Sequence, residues 1–149
     1  MAEAQRRRTA SEAAGLTLGA ARRAIGAAEA EAEGMGIAIA IAVVDSGDQL
    51  LALERMDGAD LVTIDLARDK AFSALVNRMP TRDLAPLVQP GAEFYGYDSL
   101  AGGRMIVFAG GIPLERDGVL VGAIGVSGGS ADQDQRAAEA GVRAFDQRE

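Results

Sequence analysis

Residues 110–129, GGIPLERDGVLVGAIGVSGG, restrict the fold more than any other stretch of this chain. Asp117-Gly118 separates two extended runs, 112–116 and 119–126, and an Asp-Gly pair supplies the positive φ angles a tight hairpin turn requires. Gly110, Gly111 and Pro113 open the first run. Ser127, Gly128 and Gly129 close the second, just ahead of a helical pattern that Ser130 can cap. Backbone N–H groups gathered at a strand end beside a helix N-terminus suit a small anionic ligand; the same glycines equally suit turns alone.

Around this hairpin the pattern gives one domain. At 149 residues with 48% hydrophobic content the chain can bury a core. Residues 1–14 read as a disordered tail and 15–149 as the folded domain. Arg6-Arg7-Arg8 precede no apolar core of the kind an export signal needs, so the chain reads as cytoplasmic. No apolar run reaches the roughly 18 residues of a transmembrane helix. The net charge of −7 argues against nucleic-acid binding, which needs a basic surface.

The periodicity predicts a helix from the Thr17 cap to about Glu33, ended by Gly34. An apolar run at 36–45 reads as a central strand, and 49–56 returns beside it. A helix follows over 60–77, apolar on more than one side, which suits an oligomer interface or a pocket wall. A short helix is expected at 81–88, then a long loop over 89–103 that holds both tyrosines and Phe94. Residues 104–109 read as a third strand before the glycine-rich hairpin. A last helix starts after Ser130, with Asp132 and Asp134 in its first turn, where carboxylates favour the helix dipole. The order is α-β-β-α-β-β-β-α, an α+β domain whose five strands form a mainly antiparallel sheet with helices packed on it.

The chemistry is narrowed by absences. With no cysteine and no histidine, thiol nucleophiles, Cys–zinc sites and Ser-His-Asp catalysis are excluded, and no metal site is expected. Lys70 is the only lysine, against fourteen arginines. An amine can lose its proton when desolvated and a guanidinium cannot, so a lone lysine points to acid–base work, or else to a surface lysine or an ion pair in the neighbourhood of Asp69. Glu93 and Tyr95, on the long loop, could present an acid or base over a pocket from which Phe94 excludes water; Tyr97 lies beside them. Arg55 and Asp57, at a strand end, could hold a carboxylate or pair with each other. Asp45 closes the central strand, as a ligand contact or as the carboxylate of an Asx turn with Gly47.

Three segments, VVDSGDQLLALERMDGA (43–59), ARDKAFSAL (67–75) and AGGIPLERDGVLVGAIGVSGG (109–129), resemble the GlcG/HbpS-like or haem-degrading-domain family, in order and at the family's spacing over roughly residues 16–146. The resemblance implies a profilin-like fold and a homo-oligomer built from dimers. It also implies a small-molecule ligand, with haem as one possible cofactor. This chain has no histidine to ligate haem iron, which leaves Tyr95, Tyr97 or a methionine. Two readings follow. One is an oligomeric binding protein for a planar or carboxylate-bearing molecule, contacted by Asp45, Asp57, Phe94, Tyr97, Gly110, Gly111, Pro113, Ser127 and Gly128. The other is a cofactor-free isomerase, dehydratase or cyclase acting on a carbonyl compound, with Lys70, Glu93, Arg55 and Tyr95 as its catalytic groups. An interaction module without a pocket is a third.

Overall fold

A computed structural model describes residues 15–147, so the expected tail at 1–14 lies outside the described residues. Helix α1 (Leu18–Met35) starts at Thr17, whose hydroxyl oxygen accepts from the Ala20 N–H at 3.1 Å. It runs past Gly34 and stops at Gly36, which adopts φ 71° and donates to the Ala32 and Glu33 carbonyls. Of the two nearby glycines, the one in the left-handed conformation ends the helix.

Strands β1 (Ala40–Asp45) and β2 (Leu50–Arg55) form one antiparallel pair. Strands β3 (Gly111–Arg116) and β4 (Val119–Ser127) form the hairpin foreseen around Asp117-Gly118, with φ 52° and 76° at the two turn residues. Because β1 also pairs with β4, the sheet order is β2-β1-β4-β3.

Side chains alternate across a strand, and here the two faces differ in size. Ile41, Val43, Ile124 and Val126 point into the larger core, where α1 and helix α4 (Ala131–Phe145) pack. Ala40, Ala42 and Ala123 face helix α2 (Thr63–Asn77), with its own Ala67, Ala71 and Ala74. The Ala/Ile alternation in GIAIAIAVVD therefore lets α2 ride close to the sheet while bulkier residues fill the opposite layer.

The sheet has four strands where five were expected. Residues 104–109 are irregular, and α2 side chains satisfy their backbone in place of a neighbouring strand. The Ser73 hydroxyl accepts from the Ile106 N–H at 2.8 Å and bonds the Arg104 carbonyl at 3.1 Å. The Arg104 guanidinium donates to Asp69 at 2.9 Å and Asp48 at 3.1 Å, and lies over the Phe72 ring. These contacts pin the segment to α2 and away from a strand edge.

Helix α2 itself begins three residues later than expected, because the Asp60 carbonyl accepts from both the Thr63 N–H and hydroxyl and holds 60–62 as a turn. Residues 81–88 split into α3 (Thr81–Leu84) and a 3₁₀ turn at Ala85–Leu87. At the start of α4, Ser130 and Gln133 form a reciprocal capping box. Ser130→Ala is expected to lower stability by about 1 kcal/mol in urea unfolding, as loss of a helix cap does.

Candidate functional site

The glycine-rich hairpin and α2 meet at one corner, where β4 runs out into α4. Lys70, from the middle of α2, points under that corner and is 1% exposed. Its ammonium donates to the Val126 carbonyl and to Asp134 Oδ2, each at 2.8 Å, and the Phe108 ring centroid stands 5.0 Å away. The other carboxylate oxygen, Asp134 Oδ1, accepts from the Gly129 N–H at 2.7 Å. The glycine N–H groups that the sequence leaves either to turns alone or to an anionic ligand are thus turned on the protein's own carboxylate.

Burial displaces both titrating groups. It pulls Lys70 below the ordinary lysine range, against the pull of Asp134. It pushes Asp134 above the ordinary carboxylate range, against the opposing effects of Lys70 and the Gly129 and Gly128 N–H groups. The two affinities for the proton move toward each other, as in sites built for proton transfer.

Local backbone shape makes room for the pair. Gly110 has φ 122°; a Cβ there would overlap the Val126 carbonyl and stand 2.9 Å from Lys70 Nζ. Gly111 lies so close to the Lys70 carbonyl that any side chain would collide with it. Above the pair opens a cleft of about 260 Å³. Lys70, Asp134, Ser127 and Gly128 form a polar side and Val62, Leu66, Phe108 and Ala131 an apolar side, and Asp60 and Thr63 also line it.

The structure therefore brings Lys70, Gly110, Gly111, Ser127 and Gly128 together. Other residues named from the sequence fall elsewhere. Pro113 sits in the β3–β4 ladder opposite Ala123. Phe94 and Tyr97 line a separate apolar hollow of about 210 Å³ with Met79, Leu84, Leu87 and Val88, where the Tyr97 hydroxyl donates to Asn77 at 2.6 Å. Glu93 and Tyr95 are exposed on the same loop. Arg55 pairs with Ala40, which pairs with Ser127, so Arg55 is level with the cleft but two strands away, roughly 10 Å at ordinary strand spacing. Asp57 is exposed in the turn beyond it. Asp45 lies at the opposite end of β1 and accepts from the Gly47 and Gln49 N–H groups, the Asx-turn alternative.

Two site residues escape a sequence reading. Asp134 looks like a helix-dipole acid, yet it shares the buried face of α4 with Ala137, Ala138, Gly141 and Phe145, whereas Asp132 is exposed. An acid on an apolar helical stripe was the available signal. Phe108 was placed in a strand that does not form. Among the described residues, no group of three or more acidic side chains could hold a metal ion, and no helix is long and apolar enough to cross a membrane.

A four-stranded antiparallel sheet with α2 on one face and α1 and α4 on the other defines a layered α+β domain. Klebsiella pneumoniae protein ORFY superposes with a TM-score of 0.86 at 34% identity, covering 97% of this chain and 96% of that one. The PduOC–haem complex gives 0.84 at 35% identity, covering 87% and 94%. In sequence, an uncharacterised 15.0 kDa protein from the dhaT–dhaS intergenic region of Citrobacter freundii is 36% identical over 130 residues, 87% of this chain and 92% of its own length. The corrinoid adenosyltransferase PduO of Salmonella typhimurium is 40% identical over 103 residues, 69% of this chain but 31% of that enzyme, so the match spans about a third of its length. The family described as haem degrading protein HbpS-like matches residues 16–143, and the chain belongs to it.

Proposed function

We propose that this protein binds a small organic molecule in the cleft beside Lys70, and that it works as a homo-oligomer in the cytoplasm. The carrying observation is a buried amine and carboxylate forming one wall of a cleft that Val62, Leu66, Phe108 and Ala131 make largely apolar elsewhere. A few fixed polar groups in an apolar concavity are the usual make-up of a ligand site. The Lys70 charge is matched by Asp134, and the glycine N–H donor at Gly129 is taken, so the cleft offers no unmatched cation to a carboxylate. That favours a neutral ligand over the carboxylate-bearing one suggested by sequence. Exposed Leu61, in the turn that precedes α2, supports burial against another copy.

Haem enters through the family and through the PduOC–haem complex. The residues present do not fit an axially ligated haem. The Lys70 cleft is lined by no histidine, cysteine, methionine or tyrosine, and its one amine, Lys70 Nζ, is held by the Val126 carbonyl and Asp134. In the apolar hollow the Tyr97 hydroxyl is engaged by Asn77, leaving Met79 alone. Stoichiometric haemin is expected to keep the Soret spectrum of the free compound; a shifted band that titrates to one equivalent would overturn this.

Binding to the cleft is tested by thermal shift against neutral carbonyl compounds, with Phe108→Ala compared to Phe94→Ala. Phe108→Ala is expected to weaken binding about tenfold, the order of one lost apolar contact in a pocket, and Phe94→Ala to leave it unchanged. The reverse pattern would move the site to the apolar hollow. A second reading is a cofactor-free acid/base enzyme. What favours it is the converging proton affinities of Lys70 and Asp134; Glu93 and Arg55, which do not line the cleft, are not needed for it.

A further inference from the structure

We infer that Lys70 Nζ is a carbonyl-capturing nucleophile, forming an imine with a small neutral aldehyde or ketone held in the cleft, and that Asp134 protonates the departing oxygen. This rests on the reading of the cleft as a small-molecule site and names the chemistry done there.

The arrangement meets each need of that reaction. The nucleophile must be an amine, and the Val126 carbonyl, 2.8 Å from Nζ, can accept from a neutral amine N–H as well as, more strongly, from an ammonium. Nζ therefore keeps a partner after losing its proton, a loss that burial favours. In the amine–acid form of the pair, the Nζ lone pair forms a C–N bond while the carbonyl π electrons move to oxygen. One amine proton passes to that oxygen, giving a carbinolamine. Asp134 then donates its proton, the C–O bond breaks, and water leaves. The products are a protonated imine on Lys70 and an ionised Asp134. A cation again faces a carboxylate, so the contacts that held the ammonium serve the iminium. The Phe108 ring, 5.0 Å from Nζ, favours a cation in the same way.

The substrate class follows from the lining. Val62, Leu66 and Ala131 form an apolar wall, no unmatched positive charge faces the cleft and the Asp60 carboxylate also lines it, so a neutral aldehyde or ketone is accepted ahead of an oxo acid. Phe108 controls access. It is half exposed and belongs to the irregular segment at 104–110, so its side chain can swing out without breaking a sheet ladder.

The test is reductive trapping of the intact protein with cyanoborohydride, using butanal, benzaldehyde and pyruvate as probes. With one lysine in the chain, peptide mass mapping separates Lys70 from the α-amine without ambiguity. Butanal and benzaldehyde are expected to label Lys70 at neutral pH faster than N-acetyl-lysine in the same tube, and pyruvate more slowly. Phe108→Ala is expected to slow the labelling at subsaturating aldehyde, in step with its weaker binding. Asp134→Asn, checked for native circular dichroism, is expected to slow it about 10²-fold, the order of a lost general acid. An unmodified Lys70 in both wild type and Phe108→Ala, with the aldehydes still raising the melting temperature, would overturn the nucleophile and leave the binding site standing. No labelling and no thermal shift would overturn both. Labelling that appears only after denaturation also counts against the proposal.

Discussion

Lys70→Met is expected to lower the stability of the fold by roughly 3–5 kcal/mol, a fall in melting temperature on the order of 10 °C or more. The methionine fills much of the same volume, so the effect is electrical. Asp134 is 3% exposed, and without Lys70 its carboxylate keeps only the glycine N–H contacts. Asp134→Leu alone is expected to be comparably damaging, because it strands an ammonium against one carbonyl. The double variant, Lys70→Met with Asp134→Leu, is expected to regain most of the loss, since two apolar residues replace a pair that was costly to desolvate. Denaturant unfolding of the four proteins completes the cycle. Simple addition of the two single losses in the double variant would show that the residues act independently.

The same cycle carries a pH signature. Because burial lowers the Lys70 affinity for a proton, the folded chain gives up that proton below pH 10.5, while the unfolded chain still holds it. Across that interval the unfolded state binds more protons, so stability rises with pH. Asp134 is raised above 3.8, so from 3.8 upward to its folded value the folded state holds the extra proton and stability falls with pH. The stability of wild type relative to the double variant is therefore expected to be lowest between these intervals and to recover toward either end. A flat difference would mean that neither group is displaced by burial.

How much of this could be read from the chain depends on how local the cause is. The hairpin was legible because Asp117-Gly118 determines its own turn, and α1 and α4 because Thr17 and Ser130 cap them with neighbouring atoms. The false strand at 104–109 had suitable residues, but what keeps it irregular is Ser73 and Asp69, some thirty residues earlier in the chain. Pairing with distant side chains leaves no mark in a local pattern. The site follows the same rule. Lys70 stood out by composition, and Gly110 and Ser127 by their turns, so their meeting could be anticipated. The role of Asp134 could not, since its capping position explained it fully until its partner, 64 residues away, was in view. Glu93 and Tyr95 attracted attention as an acid and an aromatic on a long loop, and the loop turns them outward.

The closeness of α2 to the sheet yields the second large effect. Gly125 lies in β4 beneath the turn of α2 that precedes Lys70. A Cβ at Gly125 would overlap the Ala67 carbonyl and stand 2.7 Å from the Ala71 N–H nitrogen. Both obstacles are backbone, so no side-chain rotation can relieve them, and the whole helix must lift. Gly125→Ala is thus expected at or beyond the upper end of overpacking costs, about 3 kcal/mol. Gly26 supplies the control. It lies inside α1 with nothing within 4 Å of an added Cβ, so Gly26→Ala is expected to stabilise the protein by about 0.5–1 kcal/mol through helix propensity and the stiffer unfolded chain. Lifting α2 also draws Lys70 from the Val126 carbonyl. Under conditions where Gly125→Ala remains folded, aldehyde trapping at Lys70 should therefore change, while Gly26→Ala traps at the wild-type rate. Equal stability and equal trapping in the two alanine variants would show that α2 does not depend on a bare strand beneath it to place its lysine.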